Sequence, residues 1–316
     1  MINQIALAIL GPTASGKSDF SVALAEKLHG EIVALDSTTP YKGFNIGSSK
    51  PSPSDQKKVR HHLLDILEPQ SPFSAFDFVK LADEAVTDIC TRKKLPLIVG
   101  GTYFYLKALQ NGMYSIPSVD PAIVEQIETE FEEFEDASTL KMHERLSLED
   151  PQSAAHIHAN DRYRLLRALS IIRSTGKKPS SLELSPVSEN AKNRLWIKYA
   201  LLIPRHELTQ LITLRTDKML SQGMIEETEY LRKNCPSARA LQSIGYSECL
   251  RFLDKQIDHK QLRNEIIEKT RQLAKRQMTW LRSDPEVRFI DKRDLDRVAL
   301  EVSNLNFILS NEETTK

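Results

Sequence analysis

A glycine-rich loop near the amino terminus, GPTASGKS at Gly11–Ser18, constrains the fold more than any other stretch of the sequence. It matches the pattern G-x-x-x-x-G-K followed by serine or threonine, and its neighbours are those that the pattern requires. The apolar run IALAIL at residues 5–10 predicts a buried strand, and KSDFSVALAEKL at residues 17–28 has helical spacing. Strand, loop and helix in this order predict a phosphate-binding loop.

The residue types in this loop suit a phosphate ligand. Its glycines allow backbone N–H groups to converge on phosphate oxygens, and the following helix adds its partial positive charge. Lys17 adds a full charge, and Ser18 is placed to coordinate Mg²⁺, which we expect as the cofactor. The motif leaves open whether the phosphates belong to ATP, GTP or another molecule.

Apolar segments alternate with helical segments along the first third of the chain. EIVALDS at residues 31–37 and LPLIVGGT at residues 95–102 predict buried strands, with a helical pattern over residues 75–93 between them. This alternation predicts an α/β fold, in which helices flank a parallel sheet that carries the phosphate loop.

The remaining segments predict an insertion and a helical carboxyl-terminal region. We expect residues 1–116 to form the first part of the core and residues 117–192, helical and highly charged, to form an inserted subdomain. Residues 193–316 then return to the sheet with RLWIKYALLI, continue with helices and add a short strand, VRFI.

Charge, cysteine spacing and the length of the apolar runs limit the classes of protein to which this chain can belong. Lysine plus arginine and aspartate plus glutamate both number 43, so the formal net charge is zero, yet basic clusters occupy residues 161–178 and 269–282. Each cluster fits either a solvated helix face or a nucleic-acid surface. The three cysteines are far apart and predict neither a disulfide framework nor a zinc site. No apolar run approaches the roughly 20 residues of a membrane span, and we expect a cytoplasmic monomer.

An aspartate ends the second predicted strand. Asp36 in VALDS should lie beside the phosphate loop, at the sheet edge where α/β folds bind ligands. An acid there could hold Mg²⁺, accept a proton or cap the next turn, and its position alone does not separate these roles.

Several motifs, in order, resemble those of bacterial tRNA dimethylallyltransferases, also called tRNA isopentenyltransferases. The resemblance runs from Ile5 to Ile290 and rests on these stretches: GPTASGKS, DSTTPYKGFNIGSSKP, RHHLLDI, LPLIVGGTYFYLKAL, IGYSE and TRQLAKRQMTWLR. It implies transfer of a dimethylallyl group from dimethylallyl diphosphate to N6 of adenosine 37, beside the tRNA anticodon, with release of diphosphate.

The resemblance also implies roles for individual residues. Asp36 matches the general base of the family, and Thr13 and Thr102 match positions near the reacting centre. Arg215 matches an arginine that contacts the diphosphate; from the residues alone it could equally be a helix-surface arginine paired with Asp217 or Glu207. The full expected diphosphate site is Gly11, Pro12, Thr13, Ala14, Ser15, Gly16, Lys17, Ser18 and Arg215.

The tRNA anticodon stem-loop is the partner that the resemblance implies. The expected contact residues are Asp36, Ser37, Thr38, Thr39, Thr102, Tyr163, Arg164, Leu165, Leu166, Arg167, Gln242, Ser243, Ile244, Gly245, Tyr246 and Ser247. Gln272, Lys275 and Arg276 either line the tRNA channel or bridge helices. Three residues depart from the family pattern and affect only the details of base contact: Thr39, Pro40 and Val124.

Other functions compete with this interpretation. A small-molecule kinase would use Asp36 to orient its acceptor or Mg²⁺ and the helical insert as a lid. A non-catalytic RNA-binding protein would not need Lys17, Ser18 and Asp36 together. An adenylate isopentenyltransferase would modify free AMP, but a mononucleotide does not require the insert and the basic carboxyl-terminal helix.

Overall fold

The computed structural model describes residues 4–114, 119–185 and 194–314. Six parallel strands form one sheet in the order β3, β2, β4, β1, β7, β8. Their bounds are Gln4–Leu10 (β1), Glu31–Leu35 (β2), His61–His62 (β3), Pro96–Gly100 (β4), Arg194–Leu201 (β7) and Val287–Ile290 (β8). The predicted α/β class and the predicted return to the sheet are confirmed.

Three strand ends lie side by side in the middle of this sheet. Gly100 at the end of β4 is in register with Leu10 of β1 and with Leu35 of β2. The next residues along each chain segment, Gly11, Asp36 and Gly101, therefore emerge together at one edge. Because parallel strands bring their carboxyl ends to the same edge, the phosphate loop and Asp36 are neighbours in space.

Helices accompany the sheet in the same compact unit. They are α1 (Lys17–Leu28), α2 (Pro53–Lys58), α3 (Ala75–Thr91), α4 (Tyr103–Asn111), α9 (Arg205–Ser221), α10 (Met224–Asn234), α11 (Tyr246–Leu253), α12 (His259–Ser283) and α13 (Leu295–Thr314). Leu7, Ile9 and Leu24 are fully buried in the core around β1 and α1. Burial of each such side chain contributes about 1.5–3 kcal/mol, which fixes the strand that carries the phosphate loop.

A second compact unit, Asn111–Pro186, is mainly helical. It contains α5 (Pro121–Glu132), α6 (Ser138–Glu149), α7 (Pro151–His156) and α8 (Arg162–Thr175), with a two-stranded antiparallel pair of β5 (Met113–Tyr114) and β6 (Leu184–Ser185). Phe131, Met142 and Leu165 are central to its own apolar core. The strand pair was not predicted.

The chain thus divides into Met1–Gln110 with Val187–Lys316 and the intervening Asn111–Pro186. The predicted boundaries of the insert, residues 117 and 192, lie outside the described residues. Within the part of the chain that the structure describes, no helix is long and apolar enough to cross a membrane.

Candidate active site

A cavity of about 560 Å³ opens at the carboxyl edge of the sheet. The segments that follow β1, β2 and β4 supply one side of it, and α9 and α12 supply another. The predicted site residues on its wall are Thr13, Lys17, Ser18, Asp36, Ser37, Thr38, Thr39, Thr102, Arg215, Gln242, Ser243 and Ile244. One cavity therefore collects residues from distant parts of the sequence.

The phosphate loop has the backbone that its glycines allow. Gly16, the residue before α1, has φ +79°, a left-handed conformation that glycine adopts without strain. The loop closes through a hydrogen bond from the Ser15 N–H to the Pro12 carbonyl oxygen at 3.2 Å. Helix α1 then begins at Lys17, so its free backbone N–H groups lie at the loop. This arrangement suits an anion.

The Lys17 ammonium lies in this loop without an acidic partner among the described residues. Its Nζ is 3.4 Å from the Pro12 carbonyl oxygen. Burial and the nearby positive charge of Arg215 lower the pKa of Lys17 to about 8, and Asp36 opposes the shift. A partly buried cation with so little compensation is stabilised by an arriving anion.

Thr13 is held from two directions. The guanidinium of Arg215 on α9 donates to Thr13 Oγ1 at 2.9 Å, and Gln277 Oε1 on α12 accepts from the Thr13 N–H at 2.8 Å. Asp217 pairs with Arg263 instead, and Arg215 forms no ion pair with Glu207 or another described residue, so the surface-pair alternative for Arg215 does not hold. Arg215 therefore reaches the phosphate loop.

Gln277 is a site residue that the sequence analysis missed. Its Nε2 also donates to the Gly101 carbonyl oxygen at 3.1 Å, which links the phosphate loop to the end of β4. A Cβ at Gly101 would lie 2.3 Å from that nitrogen, so this contact requires glycine there. The only indication in the sequence was its place within the motif TRQLAKRQMTWLR, because the partners of Gln277 are more than 170 positions away.

Asp36 uses one carboxylate oxygen for local structure and leaves the other available. Its Oδ1 accepts from the backbone N–H groups of Thr38 at 2.7 Å and Thr39 at 3.1 Å. Its Oδ2 makes no hydrogen bond to any described residue, and the side chain lines the cavity. Asp36 therefore does cap its turn, but this role uses only Oδ1 and leaves Oδ2 available to a ligand.

The predicted tRNA residues of the sheet unit divide into two groups. Gln242, Ser243 and Ile244 lie on the cavity wall. Tyr246 is fully buried and donates to Glu227 Oε1 at 2.6 Å, so its predicted contact with tRNA has no exposed side chain to support it. Gly245 is buried as well, because helix α11 begins at Tyr246 and packs that turn inward.

The helical unit exposes some predicted residues and buries one. Tyr163, Arg164 and Arg167 are exposed on α8, whereas Leu165 is fully buried in the apolar core and Leu166 packs partly against it. Leu165 is buried because five consecutive helical residues span more than one turn, so at least one faces inward, and its side chain offers no surface for the predicted tRNA contact.

The second basic cluster lies on α12. Lys269 pairs with the buried Glu248 at 2.6 Å, and Gln272 donates to Glu268 within its own helix at 3.3 Å. Lys275 and Arg276 are exposed and form no ion pair with any described residue. Lys269 therefore joins α12 to α11, and Gln277 joins α12 to the loops that follow β1 and β4, while Lys275 and Arg276 remain available to a ligand.

Comparisons with known proteins agree with this geometry. The model of the IPP transferase family matches residues 39–284. A tRNA dimethylallyltransferase of Trichlorobacter lovleyi is 40% identical over 90% of this chain and 92% of its own length. A tRNA dimethylallyltransferase of Stenotrophomonas maltophilia is 39% identical over 95% of this chain and 96% of its own.

Solved structures agree as well. A tRNA isopentenylpyrophosphate transferase of Bacillus halodurans superposes with a TM-score of 0.71, at 30% identity over 98% of this chain and 99% of its own. A eukaryotic dimethylallyltransferase acting on tRNA gives a TM-score of 0.73 at 27% identity, over 99% of this chain and 80% of its own. With its phosphate loop, its cavity and these relatives taken together, the chain belongs to the IPP transferase family.

Proposed function

We propose that this chain transfers the dimethylallyl group of dimethylallyl diphosphate to N6 of adenosine 37 in tRNA and releases diphosphate. The observation that carries the proposal is that Lys17, Arg215 and Asp36 line one and the same cavity. Relatives that match most of the chain are named tRNA dimethylallyltransferases, which supports the same reaction class.

The phosphate loop supports departure of the diphosphate. The C–O bond of an allylic diphosphate breaks readily if the charge that develops on the leaving oxygens is neutralised. Lys17, the N–H groups at the start of α1 and the Arg215 guanidinium are preorganised for this, because each is already held near the loop. The allylic carbon meanwhile tolerates the positive charge that it develops.

A divalent cation fits this loop. Mg²⁺ binds oxygen ligands and typically keeps several waters, using one or two protein groups together with substrate phosphates. The exposed hydroxyl of Ser18 in the first turn of α1 would hold it, and the ion would neutralise further charge on the diphosphate. Among the described residues no cluster of three acidic, histidine or cysteine side chains could hold a metal ion, and Ser18 is the protein ligand that we propose for it.

Asp36 is suited to accept the proton of the nucleophile. The exocyclic amine of adenine is a poor nucleophile, so removal of a proton as the new C–N bond forms assists the reaction. Oδ1 is engaged by the Thr38 and Thr39 N–H groups, which leaves Oδ2 without a hydrogen-bond partner among the described residues. Thr102 lines the same cavity, where its hydroxyl can hydrogen-bond the base.

The target base must leave the stack of the anticodon loop to reach Asp36, which costs roughly a few kcal/mol. Contacts to tRNA offset this cost. Candidate contacts are the cavity residues Gln242 to Ile244 and the exposed Lys275 and Arg276, since single-stranded RNA is read through base edges and held through its phosphates.

The decisive experiment incubates the chain with labelled dimethylallyl diphosphate, Mg²⁺ and either tRNA, tRNA with guanosine at position 37, AMP or ATP. We expect label only in tRNA that carries adenosine 37. Label in AMP but never in tRNA would contradict the substrate assignment, and ATP turnover without tRNA would favour a kinase.

A further inference from the structure

A carboxylate outside the predicted site holds one wall of the cavity. Glu227 on α10 accepts hydrogen bonds from the backbone N–H groups of Asn45 at 3.2 Å, Ile46 at 2.9 Å and Gly47 at 3.2 Å. Its Oε1 also accepts from the Tyr246 hydroxyl at 2.6 Å. Successive N–H groups that converge on one carboxylate form an anion-binding nest, here filled by a side chain from elsewhere in the fold.

The segment that Glu227 holds has little regular structure of its own. Residues 45–49 contain neither helix nor strand, yet Gly47, Ser48 and Ser49 line the cavity. Without an external acceptor, the N–H groups of Asn45, Ile46 and Gly47 would have no strand or helix partner. The position of this wall therefore depends on Glu227.

Two further contacts attach the segment to the same place. Phe44 is fully buried edge-on against the Tyr246 ring, with ring centroids 5.0 Å apart, and Ile46 packs against the apolar cluster that includes Met224. A Cβ at Gly47 would lie 2.4 Å from the Tyr246 ring, so the backbone approaches that ring too closely for any side chain. Burial and the charge of Glu227 raise the pKa of Tyr246, so its phenol stays protonated and donates.

Tyr246 also connects the nest to another part of the wall. It is the first residue of α11, directly after the segment Gln242–Gly245, whose first three residues line the cavity. Glu227 thus ties two cavity segments, 45–49 and 242–245, to one carboxylate. Gln242, Ser243 and Ile244 are predicted to contact tRNA. The hydrogen bonds to Glu227 should therefore affect tRNA binding more than diphosphate binding.

We infer that Glu227 is a positioning residue, which fixes the segment 45–49 against Tyr246 and so shapes the cavity wall that receives the tRNA nucleotide. The tRNA part of this inference rests on the proposed function. The structural part, attachment of the segment through its N–H groups, stands without it.

Amide hydrogen exchange tests the structural part without any substrate. In the unmodified protein, the Ile46 and Gly47 amides should exchange as slowly as helical amides in the same unit, despite their place in a loop. Glu227→Gln places an amide N–H₂ against backbone donors, so exchange of these amides should accelerate at least about tenfold. Glu229→Gln, an exposed site on the same helix, is the matched control and should change nothing.

Kinetics test the functional part. Glu227→Gln should raise KM for tRNA about tenfold and leave kcat within about threefold, as expected when a change removes uniform binding of substrate and transition state. Competition by inorganic diphosphate should be unaffected. Glu227→Asp, which keeps the charge, should recover part of the loss, and Tyr246→Phe should give a smaller defect because the nest remains.

The possible results test the attachment of segment 45–49 by Glu227 and its effect on tRNA binding separately. Fast exchange of Ile46 and Gly47 in the unmodified protein overturns the inference even if Glu227→Gln does not fold. Accelerated exchange in Glu227→Gln with an unchanged KM for tRNA shows that the wall is not functional and overturns it as well. If the unmodified protein modifies no tRNA, the proposed function fails, whereas the exchange result still decides the attachment by Glu227.

Discussion

Two carboxylates at opposite ends of strand β2 show how the same chemical group becomes structural or functional. Glu31, at the amino end, is 1% exposed and accepts from Arg92 at 2.7 Å, Lys94 at 2.9 Å and His62 at 2.8 Å. Asp36, just past the carboxyl end, accepts among the described residues only from the N–H groups of its own turn, and one oxygen has no partner there. Glu31 has no acceptor left for a ligand, whereas Asp36 does.

The difference follows from topology rather than from residue type. At the amino edge of a parallel sheet, chain segments return from helices and bring side chains that can saturate a buried acid. At the carboxyl edge, loops diverge and leave a crevice. The Arg92 hydrogen bonds hold the pKa of Glu31 well below its usual range and outweigh the opposing effect of burial. A saturated carboxylate stabilises the fold, and an unsaturated one is available for chemistry.

The largest expected effect comes from neutralising the free carboxylate. Asp36→Asn keeps the size and the Oδ1 acceptor of Asp36 but cannot take a full proton, so the single-turnover rate of prenyl transfer should fall about 10²- to 10⁴-fold. Rapid-quench kinetics with saturating tRNA measures it. Rescue by high Mg²⁺ would instead identify a metal ligand, and loss of stability with a normal rate would leave only the capping role.

Removing the free cation should have the next largest effect. Lys17→Ala should lower kcat/KM about 10²- to 10³-fold, the usual consequence of losing one preorganised group that stabilises developing charge. Lys27→Ala, at the exposed end of the same helix, is the matched control and should retain activity. A fully active Lys17→Ala variant would rule out the diphosphate assignment of the loop.

The structural carboxylate should behave in the opposite way. Glu31→Gln should lower the free energy of unfolding by about 2–3 kcal/mol, less than the 3–5 kcal/mol of fully buried pairs because Arg92 and Lys94 are partly solvated. The single-turnover rate below the unfolding temperature should not change. Denaturant unfolding measures the loss, with Glu84→Gln as an exposed control.

The pH dependence of the Glu31 contribution has a defined sign. Because the pKa in the folded state is depressed from 4.5, the contribution is present above that value and is lost as the pH falls toward the folded pKa. The stability difference between Glu31→Gln and the unmodified protein should therefore shrink as the pH falls below 4.5. A constant difference would show that Glu31 contributes through packing alone.

A smaller effect should arise from the titration of Lys17. Its pKa of about 8 means that most ammonium is lost at pH 9 in the free protein, so affinity for dimethylallyl diphosphate should fall about tenfold between pH 7 and pH 9. Calorimetric titration at several pH values measures this. The decline should disappear in Lys17→Ala, and a decline that persists there would assign it to another group.

The smallest effect concerns the arginines on α8 of the helical unit. They differ in whether an acidic side chain already pairs with them. On α8, Arg173 pairs with Glu130 and Arg164 lies 3.3 Å from Asp161, whereas Arg167 has no ion pair among the described residues. If this helix contacts tRNA phosphates, Arg164→Ala with Arg167→Ala should reduce the slope of log K against log salt by about 1, mostly through Arg167. Arg173→Ala should leave the slope unchanged. Equal slopes in all variants would make the cluster a solvated face.

The part of the site around the phosphate loop could be predicted from the sequence, because its residues lie in short motifs. The phosphate loop, the strand before it and the acid at the end of β2 are encoded within short stretches, so residue pattern alone predicted the α/β fold and the neighbourhood of Lys17, Ser18 and Asp36. Arg215 required the family resemblance, because nothing in its helix indicates that its guanidinium reaches Thr13.

Only the tertiary structure decided which side chains face the cavity and which support it. Tyr246 and Leu165 lie in segments predicted to contact tRNA, yet packing turns both side chains inward. Gln277 and Glu227 were missed because their partners, Thr13 and Ile46, lie 264 and 181 positions away in the sequence. Periodicity and motifs report local conformation, whereas a hydrogen bond between distant segments exists only once the fold has brought donor and acceptor together.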